Sequence, residues 1–165
     1  LEEGRMNINL TTELVGDVIT EALKHVHKKS EKQKISVIQP DDLLLAKMDA
    51  RLIVQVLINL LDNAIKYTPS DSQITITAKR NGETVCVSVA DNGNGIADEQ
   101  KERVFDMFYT GANKIADCRR SIGLGLSLCK SIINAHGGEI TITDNVPHGA
   151  IFTFTLPVGE VEIYE

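Results

Sequence analysis

Apolar residues recur along the chain at two different spacings, which together predict helices and strands. The strongest helix pattern runs from Ala50 to Tyr67 and is ended by Pro69. One face of this helix carries Leu52, Val56, Leu60, Ala64 and Tyr67. A second helix is predicted over residues 122–135, where Gly137-Gly138 supplies the C-terminal cap. Both helices are long enough to cover a sheet.

The N-terminal part is predicted to contain a short strand followed by an amphipathic helix. Residues 6–10 alternate between polar and apolar, as an edge strand does. Thr12 is the expected N-cap of the helix, because its side-chain oxygen can accept from a free amide of the first turn. The helix is expected to end at Lys28-Lys29. Its apolar positions are Leu14, Val18, Ala22 and Val26.

Alternating residues elsewhere predict three pairs of strands. The pairs are 35–38 with 43–46 across Pro40-Asp41-Asp42, 73–79 with 84–90 across Asn81-Gly82, and 139–143 with 150–156. The order of elements predicts the α/β class. The expected architecture is a two-layer α/β sandwich, with a mixed, mostly antiparallel sheet covered on one face by helices.

Composition and charge fit one globular domain and disfavour several functions. The 165 residues are 42% hydrophobic and 24% charged, which is ordinary for a globular protein with a core of its own. The net charge of -6 argues against nucleic-acid binding, which needs a basic face. No apolar run approaches the roughly 18 residues of a membrane span. The cysteines and histidines lack the spacing of a disulfide framework or a zinc site.

Two glycine motifs are the main candidates for chemistry. Asp91-Asn92-Gly93-Asn94-Gly95 follows a strand, so its carboxylate can accept from an amino group while the glycines admit a flat ring. Gly123-Leu124-Gly125-Leu126 opens a helix and offers amides and a helix dipole to an anion. Neither motif is a Rossmann fingerprint, because Asp98 stands where its third glycine would fall. Neither is a Walker loop, because no glycine is followed by lysine and then serine or threonine. Taken singly, each also fits a plain turn or helix packing.

Amide and basic side chains complete the predicted site. Asn59 and Asn63 project from one face of the long helix, and their oxygens suit Mg²⁺ held jointly with phosphates. Lys66 can reach a phosphate as a point charge. Further basic residues precede the second glycine motif, namely Lys114, Arg119 and Arg120. Ordinary surface asparagines and a solvated basic loop are the competing interpretations, although polar groups in so apolar a helix need partners.

In combination these motifs resemble the catalytic, ATP-binding domain of sensor histidine kinases, within the group that includes Hsp90, gyrase and MutL. The similar segments are residues 59–67 (N box), 91–95 (G1 box), 105–108 (F box), 123–126 (G2 box) and the turn His136-Gly137-Gly138. The resemblance covers nearly the whole chain and implies the Bergerat, or GHKL, form of the sandwich. Residues 144–149 and a compact lid further resemble the KdpD potassium-sensor branch.

The resemblance implies ATP and Mg²⁺ as cofactors and assigns roles to individual residues. Asn63 is similar to the Mg²⁺ ligand, with Asn59 assisting; Lys66 and Tyr67 would contact phosphate and nucleotide, and Asp91 would accept from the adenine amino group. The other implied nucleotide-binding residues are Gly93, Gly95, Ile96, Lys114, Arg119, Gly123, Leu124, Gly125 and Leu126. The candidate catalytic residues are Asn59, Asn63, Lys66 and Arg120.

Residues 106–122 would form a lid over the triphosphate, with Phe105 and Phe108 packing at its start. Some relatives carry a glutamine where Ile122 stands, so Ser121 or Arg120 would have to compensate.

The implied activity is transfer of the γ-phosphoryl group to a histidine on a separate dimerisation domain and then to an aspartate of a response regulator. Related ATPases carry a glutamate that activates water at position 59, whereas the Asn59 amide has no basic site for that task. His25 and His27 are expected to be surface histidines rather than acceptors. Residues 1–7 are expected to be the tail of the missing helical domain, 8–158 the catalytic domain and 159–165 a C-terminal tail. The domain is expected to be cytoplasmic, with membrane contact only through missing regions.

Three alternatives remain open at this point. They are an ATPase or molecular clamp of the same fold, a serine kinase that regulates a sigma factor, and a degenerate module that binds nucleotide or a partner without catalysis. The intact Asn63, Asp91 and paired glycines disfavour the degenerate module. A histidine-bearing helical hairpin upstream of Leu1 would favour the histidine kinase.

Overall fold

The computed structural model describes residues 7–27, 32–40, 43–101, 103–105 and 120–159, except for the side chains of 120–124. The strands are β1 (Thr11–Leu14), β2 (Lys34–Ile38), β3 (Leu45–Met48), β4 (Gln73–Asn81), β5 (Thr84–Asp91), β6 (Ile140–Asp144) and β7 (Ala150–Pro157). The helices are α1 (Val15–Val26), α2 (Ala50–Tyr67), α3 (Asp98–Lys101) and α4 (Arg120–Ala135). None of the helices in these ranges is long and apolar enough to cross a bilayer.

A five-stranded sheet forms one layer, with the strands in the order β2-β4-β5-β7-β6. β2 runs parallel to β4, and every other neighbouring pair is antiparallel. The alternation in β4 and β5 buries one face of the sheet, including Ile74, Ile76, Val87 and Val89. The mixed, mostly antiparallel sheet and the two-layer sandwich predicted from the sequence are therefore confirmed.

Helix α2 occupies the centre of the second layer and packs between α1 and α4. Its buried face consists of Ile53, Val56, Leu57, Leu60, Leu61 and Ala64. Full burial of one such leucine or isoleucine contributes roughly 1.5–3 kcal/mol, so this face is a main source of stability. The bounds of α2 agree with the prediction, and the following proline accounts for its end. The predicted face is only partly correct: Val56, Leu60 and Ala64 are buried, but Leu52 is half-buried and Tyr67 is exposed.

The end of α4 is joined to the start of α2 through a buried histidine. His136 Nε2 accepts from the backbone N–H of Asp49 at 3.0 Å, and Nδ1 lies 2.7 Å from the carbonyl oxygen of Ile132. Since a backbone N–H can only donate, the ring is neutral and carries its proton on Nδ1. Gly137, with φ +77°, and the bond from Gly138 N to Ile133 O end the helix as predicted.

Two predictions for the N-terminal part are wrong. Residues 7–10 form no strand, and β1 begins only at Thr11. Thr12 is not a helix cap but a strand residue opposite Lys47, and α1 follows Leu14 without a side-chain cap. Pairing with β3 satisfies the backbone of β1, so tertiary contact outweighs the local capping preference of threonine. Met6 and the expected helix end at Lys28-Lys29 lie outside the described residues.

The predicted pairing of strands 35–38 and 43–46 is also wrong, although both strands exist. β2 pairs instead with β4, where Ile35 lies opposite Ile74, and β3 pairs with β1. A parallel partner far along the chain leaves no turn signal in the sequence. The other two hairpins, β4–β5 and β6–β7, are confirmed, and α4 begins at Arg120 rather than Ile122. The short helix α3 was not predicted.

Candidate functional site

Asp91, the last residue of β5, lies at the centre of the candidate site and is only 8% exposed. Its Oδ1 accepts from the backbone N–H groups of Gly93 and Ala150 at 2.9 and 3.3 Å. Hydrogen bonds to a carboxylate are among the stronger ones, so these two bonds orient the side chain. Among the described residues none donates to Oδ2, which leaves that oxygen available to a ligand.

Close packing brings the loop after Asp91 against the end of α2. A Cβ atom added to Gly93 would lie 2.7 Å from Cγ2 of Thr68, so only glycine fits without a shift. Thr68 is held by its own hydrogen bond, from Oγ1 to the carbonyl oxygen of Ala64 at 2.7 Å. The exposed side chains of Lys66 and Tyr67 therefore belong to the same edge of the molecule as Asp91.

The two asparagines of α2 are half-buried and differ in their hydrogen bonding. Asn59 Oδ1 accepts from Gln55 Nε2 at 2.9 Å, and its Nδ2 donates to the carbonyl oxygen of Gly125 at 3.3 Å. The Asn63 side chain makes no hydrogen bond to another described residue. Asn59 thus connects α2 to the second glycine motif, and the oxygen of Asn63 remains open to a hard cation.

The second glycine motif lies in the first turns of α4, where the structure describes the backbone but not the side chains of 120–124. Gly125 packs beside Asn59, since an added Cβ would lie 3.5 Å from Asn59 Cγ. Leu126 is buried in the core. Gly123 and Leu124 occupy helical backbone. Lys114 and Arg119 lie outside the described residues, and Arg120 starts the helix without a described side chain.

A buried thiol lies next to this junction of helices. Cys129 Sγ is 3.8 Å from the carbonyl oxygen of Val56. Burial raises the pKa of the Cys129 thiol to about 12, and a hydrogen bond with Asn59 opposes part of that rise. Cys129 is therefore a protonated packing residue.

Several residues that position Asp91 were not identified from the sequence. Asn145 Nδ2 donates to the backbone oxygen of Asp91 at 2.7 Å, and His148 Nδ1 donates to the oxygen of Gly93 at 2.9 Å. Gly149 has φ +117°, and a Cβ there would lie 1.9 Å from the oxygen of Asp91. The turn residues between β6 and β7 were visible in the sequence, but their docking on a distant loop was not.

The segment after the first glycine motif is attached to the core and to β6. Ile96 is half-buried and packs on the core. The Phe105 ring meets Phe152 edge-on, with centroids 6.2 Å apart, which confirms its expected packing role. Lys101 Nζ lies 2.7 Å from Asp144 Oδ1 and also contacts Asp98. These contacts, the one with Asp144 first, raise the pKa of Lys101. Phe108 lies outside the described residues.

Comparison with known proteins identifies relatives of this chain. Residues 48–160 match the family described as histidine kinase-, DNA gyrase B-, and HSP90-like ATPase. Sensor protein KdpD of Clostridium acetobutylicum is 42% identical over 156 residues, covering 94% of this chain and 17% of that protein. The adaptive-response sensory kinase SasA of Gloeothece citriformis is 40% identical over 141 residues, covering 84% of this chain and 35% of that protein. The expected likeness to KdpD is confirmed.

Solved structures agree in fold. The nucleotide-free catalytic domain of histidine kinase ThkA has a TM-score of 0.80 and 32% identity, covering 91% of this chain and 96% of that chain. ThkA in complex with response regulator protein TrrA has a TM-score of 0.75 and 32% identity, covering 90% of this chain and 41% of that chain. This chain spans little more than a third of SasA and less of KdpD. The family match over residues 48–160 and the likeness to ThkA show that the chain belongs to the histidine kinase-, DNA gyrase B-, and HSP90-like ATPase family and, within it, to the histidine kinase catalytic domains.

Proposed function

We propose that this chain binds ATP with Mg²⁺ and transfers the γ-phosphoryl group to a histidine on a separate dimerisation domain. The observation that carries the proposal is the hydrogen bonding of the Asp91 carboxylate. Its Oδ1 accepts from two backbone amides, which leaves Oδ2 for a ligand. A carboxylate oxygen that is held in place accepts from a hydrogen-bond donor of the base and disfavours a base that presents an acceptor there. Adenine presents an amino group where guanine presents a carbonyl oxygen, so the site favours adenine.

The donor set beside Asp91 suits a magnesium nucleotide. Amide oxygens are hard ligands, and Mg²⁺ is usually bound by few protein oxygens together with phosphates. Asn63 would be the main protein ligand because its side chain bonds no other described residue. Asn59 would assist, although Gln55 already donates to its oxygen. When bound, the metal would supply neutralisation of the triphosphate charge.

The remaining roles follow from position in the site. Lys66 and Tyr67, exposed at the end of α2, would contact phosphate and nucleotide. Gly93, Gly95 and Ile96 would border the base. The residues proposed for the phosphates are Lys114, Arg119, Arg120, Gly123, Leu124, Gly125 and Leu126. Backbone amides and cations stabilise phosphate oxygens, so this set would bind the end of the nucleotide opposite the base.

Catalysis in this proposal rests on positioning and charge neutralisation. Asn59 has no basic atom with which to activate water, which favours transfer to a protein acceptor over hydrolysis. The acceptor histidine would lie on a dimerisation domain joined to residues 1–7, with 8–158 as the catalytic domain and 159–165 as a tail. A response regulator would then receive the phosphoryl group, and the ThkA complex with TrrA supports a partner of that class. The domain would act on the cytoplasmic side of a sensor.

Calorimetric titration tests the nucleotide site. The wild-type chain should bind a non-hydrolysable ATP analogue in a Mg²⁺-dependent manner and prefer it to the GTP analogue. Asp91→Asn should weaken binding of the ATP analogue about 10- to 100-fold, because a charge-assisted bond of roughly 1.5–3 kcal/mol is lost while the side-chain size is kept. Asp71→Asn is the matched control, since Asp71 is exposed and asparagine tolerates its φ of +72°. Equal affinities in Asp91→Asn and wild type would contradict the base assignment.

The metal assignment and the transfer step need separate measurements. Asn63→Ala should abolish the Mg²⁺ dependence of binding, whereas Asn134→Ala, an exposed amide on α4, should leave it unchanged. Wild type should then phosphorylate a histidine-bearing dimerisation domain supplied as a separate polypeptide, with labelled phosphate appearing on that domain. Free phosphate without labelled protein would indicate an ATPase instead.

A further inference from the structure

The turn between β6 and β7, residues 144–149, has a conformation stabilised by its own hydrogen bonds. Asn145 N donates to the carbonyl oxygen of Gly149 at 3.0 Å. Asn145 Oδ1 accepts from Val146 N at 2.9 Å. These bonds use the side-chain oxygen of Asn145 inside the turn, so its amide nitrogen is directed to the neighbouring loop.

That loop is the one that carries the candidate base-recognition residue. Asn145 Nδ2 donates to the backbone oxygen of Asp91, and His148 Nδ1 donates to the oxygen of Gly93. The turn therefore binds the backbone on both sides of the Asp91–Gly93 step. The position of the Asp91 carboxylate depends on the backbone from which it extends, so contacts to that backbone also determine where Oδ2 lies.

A third contact binds the far side of the same loop to the turn. Lys101, at the end of α3, lies 2.7 Å from Asp144 Oδ1, and its side chain is only 17% exposed. The Asp91 loop is thus attached to the turn at its start through Asn145 and His148, and α3, which follows the loop, is attached to the turn through Lys101. Gly149 permits the close approach, because a Cβ there would overlap the Asp91 oxygen.

We propose that Asn145 is a positioning residue for base discrimination, which holds the backbone of Asp91 so that Oδ2 meets the donor of an adenine ring. This inference rests on the proposed function of the site. In this role Asn145 acts through the backbone of Asp91 rather than through a contact of its own with the nucleotide. Its loss lets the carboxylate move, so the preference for an amino group over a carbonyl oxygen falls, because recognition sites tolerate only small displacements.

The test compares affinities for non-hydrolysable ATP and GTP analogues, with thermal unfolding of each variant measured in parallel. Asn145→Asp keeps the size and the acceptor for Val146 N but replaces the donor to Asp91 O by a second oxygen. Asn145→Ala removes both groups. Both should reduce the ATP-to-GTP preference about tenfold. The added negative charge of aspartate affects both triphosphates alike, so its effect cancels in the ratio of the ATP and GTP affinities. Val146→Ala is the control in the same turn, since its side chain is 88% exposed.

The outcomes separate this inference from the function on which it rests. A wild-type chain without preference for ATP would overturn both. A wild-type preference that persists unchanged in Asn145→Asp and Asn145→Ala would overturn only the role of Asn145, even if both variants unfold at lower temperature. If neither variant folds, Asn145→Ser decides, because serine is small and polar and is too short to donate to the backbone oxygen of Asp91. An unchanged preference in Asn145→Ser would then contradict the inference.

Discussion

Gly93→Ala should strain one identifiable contact. The new Cβ would lie 2.7 Å from Cγ2 of Thr68, closer than two carbon atoms can approach. The Thr68 side chain cannot simply rotate, because its Oγ1 donates to the carbonyl oxygen of Ala64 and that bond contributes about 1 kcal/mol. Overpacking of this kind typically costs roughly 1–3 kcal/mol. We expect Gly93→Ala to lower the free energy of unfolding by about 2 kcal/mol.

The same geometry predicts a specific rescue. Thr68→Ser removes Cγ2 and keeps the hydroxyl, at a cost of about 0.8 kcal/mol for the lost methyl group. In that background the Cβ of Gly93→Ala would meet Asp91 Oδ1 at 3.3 Å and Thr68 Cβ at 3.5 Å, contacts that need only a small adjustment. Gly93→Ala should then cost about 0.5 kcal/mol, so the double-mutant cycle should show a coupling free energy of about 1.5 kcal/mol.

Urea denaturation followed by circular dichroism measures all four corners of the cycle. Thr143→Ser, an exposed position on β6, is the matched control and should show no coupling with Gly93→Ala. Equal costs of Gly93→Ala in the threonine and serine backgrounds would refute the packing argument. In that event the approach of the Asp91 loop to α2 would have to be governed by contacts other than Thr68 Cγ2.

The remaining predictions concern a tight turn and two buried side chains. Gly138→Ala should destabilise the fold by about 3 kcal/mol in urea denaturation, because its Cβ would lie 1.9 Å from the backbone oxygen of Thr155; a loss below about 0.5 kcal/mol, the usual size at an unconstrained surface position, would contradict this. His136→Leu should cost roughly 1–3 kcal/mol by leaving the Asp49 N–H without its acceptor, and an unchanged midpoint would exclude that role. The pKa of the Cys129 thiol is raised by burial from 9.0 to about 12, so the folded chain keeps a proton that the unfolded chain loses. The associated stability is fully present below about pH 9 and is lost as the pH rises towards 12, by about 1.4 kcal/mol per unit. Cys129→Ala should therefore lose less stability than wild type between about pH 9 and about pH 11, and parallel curves would contradict the buried-thiol argument.

Local patterns in the sequence were sufficient for the elements that depend on near neighbours. The period of apolar residues and Pro69 predicted the bounds of α2 and the central part of its buried face. The Asn81-Gly82 pair predicted the β4–β5 hairpin, whose two-residue loop is Gly82-Glu83. The two glycine motifs and the paired asparagines were likewise recognisable, because their chemistry is carried by adjacent residues or by residues one helical turn apart.

Contacts between distant parts of the chain were decided only by the tertiary structure. β2 pairs with β4 rather than β3, and Thr11 lies opposite Met48, because strand pairing depends on which apolar faces have to be buried together. The docking of Asn145 on Asp91 is of the same kind, since nothing near residue 145 indicates which carbonyl its amide will reach. A sequence period is a local property, whereas strand pairing and loop docking depend on the whole set of surfaces that must be buried together.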